Sequence, residues 1–113
     1  MQTHPLSGAL GAEITDIDLS SISDQEFADL RDTFLDRSVI VVRNQNLNPD
    51  DHIAFAKRWG EININRFFKP TDTHPEIATL LKEPDQKLNI GGQWHTDHSY
   101  DLAPAMGSIL YAV

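Results

Sequence analysis

In two segments of the first half of the chain, apolar residues recur among polar ones at the spacing of an α-helix. In residues 20–38, "SSISDQEFADLRDTFLDRS", large apolar side chains recur at helical spacing: Phe27, Leu30, Phe34 and Leu35. Ser23, followed three residues later by Glu26, matches the capping box that begins a helix. This pattern predicts a helix with one apolar stripe formed by those four side chains.

A second helix is predicted over residues 46–61, "NLNPDDHIAFAKRWGE". Asn48 is a suitable N-cap, and Pro49 fits the first turn because its missing N–H is not needed there. Gly60 is typical of the position at which a helix stops.

Five segments have the composition or the alternation of β-strands. Residues 7–19, "SGALGAEITDIDL", predict a short strand among turn residues, and the β-branched run in residues 38–44, "SVIVVRN", predicts a strand buried on both faces. Three more are predicted at residues 62–65, 77–81 and 107–113, "ININ", "IATLL" and "GSILYAV". The order predicts one α+β domain over residues 1–113, with strands denser toward the end.

The last predicted strand, residues 107–113, runs into the end of the sequence without a polar tail. A strand that stops in this way leaves an unpaired edge. We therefore expect the chain to be the N-terminal part of a longer protein. The alternative is an inner strand with a short terminus.

Composition narrows the classes of partner. Nine Lys and Arg against seventeen Asp and Glu give a net charge of −8, which would repel nucleic acids and anionic membranes. There is no cysteine, so disulfides and thiolate metal sites are excluded. The sequence has no apolar run of membrane-spanning length and no secretion signal, so we expect a cytoplasmic protein.

The chemistry is concentrated in "GGQWHTDHSYD", residues 91–101. In an extended segment His95 and Asp97 point to the same side and His98 to the other. One imidazole beside one carboxylate supplies two of the three ligands of the 2-His-1-carboxylate triad that binds non-haem Fe(II). A structural hydrogen-bonded pair and an acid–base pair of a hydrolase are the alternatives, although the sequence has no nucleophile motif for the latter.

The same region resembles the taurine dioxygenase family, also named for a 2,4-dichlorophenoxyacetate dioxygenase. The resemblance is carried by "WHTDHSYDLAPAMGSILYA", by "GAEITDIDLS" and by "SVIVVRNQNLNPDDHIAFAKRWGEI". It implies a double-stranded β-helix, or jelly roll, with helices packed outside. It also implies that His95 and Asp97 are iron ligands and that the reaction is an Fe(II)- and 2-oxoglutarate-dependent hydroxylation of a small organic substrate, yielding succinate.

The family pattern also contains parts that this sequence does not show. A Gly-Gly-Asp-Thr stretch, a second iron-binding histidine and an arginine for 2-oxoglutarate would all follow Val113. The other histidines, His4, His52, His74 and His98, are better explained as surface or pocket residues than as a third ligand. We therefore expect the isolated chain to be inactive.

The predicted substrate pocket departs from that of the taurine enzymes. In "GEININRFFKP", Asn63 and Asn65 stand where those enzymes have histidines, and a polar position before the tryptophan is Gly91 here. This disfavours taurine and makes three residues candidates for substrate contact: Asn65, Phe68 and His98. The alternatives are that Asn65 continues a half-exposed strand and that Phe68 is core.

A function of another class is also consistent with the sequence. A non-catalytic domain derived from the same family could complete its sheet by pairing open strand edges with a second copy of itself.

Overall fold

The computed structural model describes residues 1–64, 69–88, 91–97 and 99–113. The chain divides into two compact units, Met1–Arg58 and Trp59–Val113. The described elements mix strands and helices, as the sequence predicts, and follow in the order strand, strand, helix, strand, helix. No helix in these ranges is both long enough and apolar enough to cross a membrane.

The first unit contains a three-stranded mixed sheet. Its strands are β1 (Gln2–Pro5), β2 (Ala12–Thr15) and β3 (Ile40–Val42), with β2 in the centre. β1 runs antiparallel to β2, with Gln2 opposite Thr15, and β3 runs parallel to β2, with Ala12 opposite Ile40. Parallel neighbours need a crossover, and the helix between β2 and β3 supplies it.

Strand β1 is absent from the sequence-based prediction, and its side chains show why. All four residues of "QTHP" are exposed, so the segment has no apolar alternation to mark it. Its backbone pairs with β2 instead, and His4 therefore lies within a strand. The His4 ring reaches the hydroxyl of Thr15 at 3.4 Å between Nε2 and Oγ1.

The first helix, α1 (Asp24–Arg37), begins at the predicted capping box. The Ser23 hydroxyl accepts the Glu26 backbone N–H at 3.3 Å, and the Ser23 backbone N–H donates to the Glu26 carboxylate at 3.0 Å. The helix ends at Ser38, which adopts a left-handed conformation with φ of 64° and donates its N–H to the Phe34 carbonyl. Both ends thus satisfy backbone groups that a helix leaves unpaired.

The second helix, α2 (Pro49–Trp59), also follows the prediction. The Asn48 side chain accepts the Asp51 N–H at 2.9 Å, and the Asp51 carboxylate accepts the Asn48 N–H at 3.2 Å. Near the other end of the helix, Arg58 donates to the Ile22 carbonyl and lies 2.6 Å from the Asp24 carboxylate, at the N-terminus of α1.

The core of the first unit lies around the central strand. The buried apolar residues there come from β2, both helices and the loop before α1: Ala12, Ile14, Leu19, Ile22, Leu30 and Phe55. One detail of the prediction is wrong: β3 is half-buried because it is an edge strand rather than one buried on both faces. Leu35, which belongs to the apolar stripe of α1, is 58% exposed.

A polar side chain fixes the loops beside this core. The amide of Gln45 accepts the Leu19 backbone N–H at 2.9 Å and donates to the carbonyls of Ile17 and Arg43 at 2.9 and 2.8 Å. One side chain therefore satisfies three backbone groups in segments that have no regular partner.

The strands predicted in the second unit do not form among the residues that the structure describes. Residues 62–64, 77–81 and 107–113 belong to no strand, and the described part of the second unit contains an isolated bridge between Pro70 and Ala78. A strand requires a paired backbone, and the exposed side chains of Leu81, Leu110 and Val113 show that burial does not hold these segments either.

Replacing Leu30 with Ala tests the position of the core. Leu30 is fully buried, so the substitution leaves a cavity, and we expect the free energy of unfolding to fall by about 3 kcal/mol. Leu35→Ala, on the same helix but exposed, is the control and should change it by less than about 0.5 kcal/mol. Urea denaturation followed by circular dichroism measures both, and equal losses would contradict this core.

The capping box should make stability depend on pH. Hydrogen bonds from the Ser23 hydroxyl and backbone N–H favour the charged carboxylate and lower the pKa of Glu26. This stabilisation is complete above the ordinary glutamate pKa and is lost as the pH falls through the lower folded-state pKa. We expect the stability difference between wild type and Glu26→Gln to shrink over that interval. Ser20 also lowers the pKa of Asp18, but Asp18 is present in both proteins, so its effect on stability cancels in the difference. A stability difference that does not change with pH would contradict the prediction.

Candidate metal centre

The side chains of His95 and Asp97 meet in the second unit. The distance between Nε2 of His95 and Oδ1 of Asp97 is 3.2 Å. The two residues are two positions apart in a segment that forms no strand. The structure thus brings together the imidazole and the carboxylate that the sequence singles out.

A backbone hydrogen bond orients the imidazole. Nδ1 of His95 lies 2.6 Å from the carbonyl oxygen of Gln93. A carbonyl oxygen only accepts hydrogen bonds, so Nδ1 carries the proton. In the neutral ring Nε2 then presents a lone pair, and this lone pair faces the Asp97 carboxylate. Two acceptors that converge in this way need a cation between them or a proton on Nε2.

The separation fits two ligands of one metal ion. Ligand atoms each about 2.1 Å from a divalent metal, at right angles to one another, lie about 3.0 Å apart. The observed 3.2 Å is close to this value. The backbone carbonyl on Nδ1 is also a common outer partner of metal-binding histidines, because it fixes the tautomer and the ring orientation. The donor set therefore fits a divalent ion such as Fe(II).

The pair is accessible from solvent. The side chains of His95 and Asp97 are 52% and 74% exposed. When the imidazole is protonated, such a pair is an exposed ion pair and contributes little to stability. The hydrogen bond to Gln93 is compatible with both protonation states, so the arrangement does not depend on the charge of the ring.

The imidazole occupies the space that a side chain at Gly91 would need. The φ of Gly91 is +70°, a left-handed conformation that favours glycine. A Cβ built on Gly91 would lie 3.3 Å from Cε1 of His95 and 3.7 Å from Nε2. A side chain at residue 91 would therefore meet the ring at Cε1 and Nε2, whereas the carbonyl of residue 93 holds it at Nδ1.

The described residues contain no group of three His, Asp, Glu or Cys side chains that could hold a metal ion together. His52 lies half-buried on α2, and the ring of His74 sits 2.8 Å from the Thr73 hydroxyl in a turn. His95 and Asp97 thus stand as a pair in this part of the chain.

The predicted substrate contacts Asn65, Phe68 and His98 lie outside the described residues. Asn63, the first of the two asparagines that replace histidines in the resemblance, is exposed. Trp94, which precedes His95, is fully exposed.

Sequence reasoning missed two contributors to this site. Gln93 acts through its backbone carbonyl, which every residue type carries, so no sequence signal could have identified it. Gly91 could have been found, because a glycine pair before a candidate ligand is a common sign of a left-handed turn or of close backbone approach.

The comparisons with known proteins identify the family. The Taurine catabolism dioxygenase TauD, TfdA family matches residues 2–113. The chain belongs to this family, as the resemblance predicted.

Named relatives agree with this assignment. An alpha-ketoglutarate-dependent sulfonate dioxygenase of Saccharomyces cerevisiae is 28% identical over 92% of this chain and 28% of its own length. An (S)-phenoxypropionate/alpha-ketoglutarate-dioxygenase of Delftia acidovorans is 28% identical over 99% of this chain and 41% of its own length. The chain thus spans less than half the length of these relatives.

Solved structures are similar as well. A Burkholderia xenovorans protein, provisionally named an alpha-ketoglutarate-dependent taurine dioxygenase, superposes with a TM-score of 0.75 at 30% identity, over 91% of this chain and 38% of that one. A taurine dioxygenase of the same organism gives a TM-score of 0.63 at 33% identity, over 72% of this chain and 31% of that one.

Proposed function

We propose that this chain carries the first two iron ligands, His95 and Asp97, of an Fe(II)- and 2-oxoglutarate-dependent dioxygenase that hydroxylates a small organic molecule. The observation that carries the proposal is the convergence of Nε2 of His95 and Oδ1 of Asp97 at 3.2 Å, with the opposite ring nitrogen held by the Gln93 carbonyl. Membership of the TauD, TfdA family supports the choice of metal and co-substrate.

Each residue has a separate task in this proposal. Nε2 of His95 and the Asp97 carboxylate would hold the metal, and the Gln93 carbonyl would keep the proton on Nδ1 so that Nε2 remains free to bind. The bound Fe(II), with 2-oxoglutarate and O₂, would supply oxidising chemistry that hydroxylates a C–H bond while 2-oxoglutarate becomes succinate and CO₂.

Two protein ligands hold a divalent ion weakly, and the family pattern includes a second histidine and an arginine further along. We therefore expect the 113-residue chain by itself to bind Fe(II) weakly and to show no turnover. For the whole protein we propose the jelly roll that the family resemblance implies, with the described sheet and helices beside it.

The names of the relatives indicate a general class of substrate. Their names specify a sulfonate and a phenoxypropionate, which are small organic anions, and we propose a substrate of that general size. Asn65, Phe68 and His98 remain our candidates for substrate contact. The asparagines in place of histidines disfavour taurine.

Metal binding tests the proposal. We expect Mn(II), a redox-stable substitute for Fe(II), to broaden the NMR signal of the His95 ring at lower concentrations than the signals of His4 and His74. The affinity should fall about tenfold or more in His95→Ala and in Asp97→Asn, since each removes one ligand.

His4→Ala is the matched control, because it removes an exposed histidine of the first unit and should leave the affinity unchanged. Equal broadening of all histidines, or wild-type affinity in Asp97→Asn, would show that the pair is not a metal site.

The alternative, a self-associating domain, is favoured by one observation. Several large apolar side chains of the second unit are strongly exposed: Leu81, Leu88, Trp94, Leu102 and Leu110. If this function is the correct one, sedimentation velocity should show a discrete dimer that Leu102→Ser and Leu110→Ser dissociate. We expect instead a concentration-dependent distribution without a discrete dimer, because these side chains do not belong to a strand that could pair.

A further inference from the structure

We propose that Gly91 is a positioning residue for His95: because it lacks a side chain, its backbone can lie against the imidazole and direct Nε2 toward Asp97. This inference rests on the proposed metal-binding function, which gives the direction of Nε2 its importance. It concerns a residue that binds neither metal nor substrate itself.

The contact is specific in its geometry. A Cβ on Gly91 would approach Cε1 of His95 to 3.3 Å, tighter than an ordinary contact, and Nε2 to 3.7 Å. Cε1 is bonded to both ring nitrogens, and Nε2 is the nitrogen that Gln93 does not hold. A methyl group there would therefore press on the edge of the ring that carries the proposed metal-binding atom.

The ring cannot absorb this pressure freely. Nδ1 is held by the Gln93 carbonyl at 2.6 Å, so a displaced ring must either lengthen that hydrogen bond or turn about it. Either movement changes the 3.2 Å separation between Nε2 and the Asp97 carboxylate. Sites that bind metals tolerate only small errors of this kind, since ligand orientation sets the affinity.

A positive φ would by itself favour glycine at residue 91. A substitution there therefore has two effects, backbone strain and contact with the ring, and the experiment must distinguish them. Gly60 provides the comparison within the same unit. Its φ is +146°, also in the region that favours glycine, but a Cβ built on it meets nothing within 4 Å. Gly60→Ala therefore adds backbone strain without a contact, whereas Gly91→Ala adds both.

The experiment compares Gly91→Ala, Gly91→Asn and Gly60→Ala with the wild-type chain. Asparagine tolerates a left-handed backbone better than alanine does but carries the same Cβ. The first measurement is the pair of ¹⁵N ring shifts of His95 in metal-free protein, at a pH well above the ordinary histidine pKa. The second is the Mn(II) affinity.

We expect both Gly91 variants to shift the His95 ring signals while those of His4 and His74 stay unchanged, and to weaken Mn(II) binding about 10- to 100-fold. Gly60→Ala should match wild type in both measurements. Should Gly91→Ala fail to fold, Gly91→Asn keeps the test decisive, because its backbone strain is smaller.

Wild-type ring signals in the two Gly91 variants would overturn the inference. Recovery in Gly91→Asn alone would also overturn it, because the glycine would then serve backbone conformation only, and so would an equal effect of Gly60→Ala. Failure of the proposed function looks different: the wild-type chain would not bind Mn(II) at His95, while the ring shifts in metal-free protein would still decide the role of Gly91.

Discussion

The hydrogen bond from Nδ1 of His95 to the Gln93 carbonyl is the interaction on which the site depends. It determines which ring nitrogen carries the proton and therefore which nitrogen can act as a ligand. In the neutral ring it leaves the Nε2 lone pair 3.2 Å from the Asp97 carboxylate, an arrangement that either a cation or a proton on Nε2 stabilises. The proposed metal site would therefore depend on the backbone as well as on the two side chains.

The two units differ in what holds them. In the first, burial of Ile14 and Leu30 around a central strand is combined with helix ends that satisfy their own backbone groups. In the described part of the second, large apolar side chains are exposed and local hydrogen bonds predominate. The buried core orders the first unit through many weak contacts, whereas the candidate site in the second unit depends on a few short-range ones.

The sequence predicted what is local and missed what requires a partner. Ser23 with Glu26 and Asn48 with Pro49 predicted both helix starts, because capping chemistry acts within four residues. The strands at residues 77–81 and 107–113 had suitable composition, but a strand also needs a neighbouring backbone, which composition does not reveal. β1 shows the converse, since four exposed residues pair through backbone alone.

The same distinction explains the site. His95 and Asp97 were recognisable as candidates because an imidazole and a carboxylate are metal-binding groups, whereas the Gln93 carbonyl has no residue-specific signal. An exposed pair cannot rely on a low dielectric to strengthen its hold on a cation. In the proposed site, affinity would come from holding the ligand atoms in place before the cation arrives, and the Gln93 carbonyl on Nδ1 and the space left by Gly91 beside Cε1 are suited to this. The spacing of His and Asp predicts the ligands, whereas the short turn before them holds the ring in place.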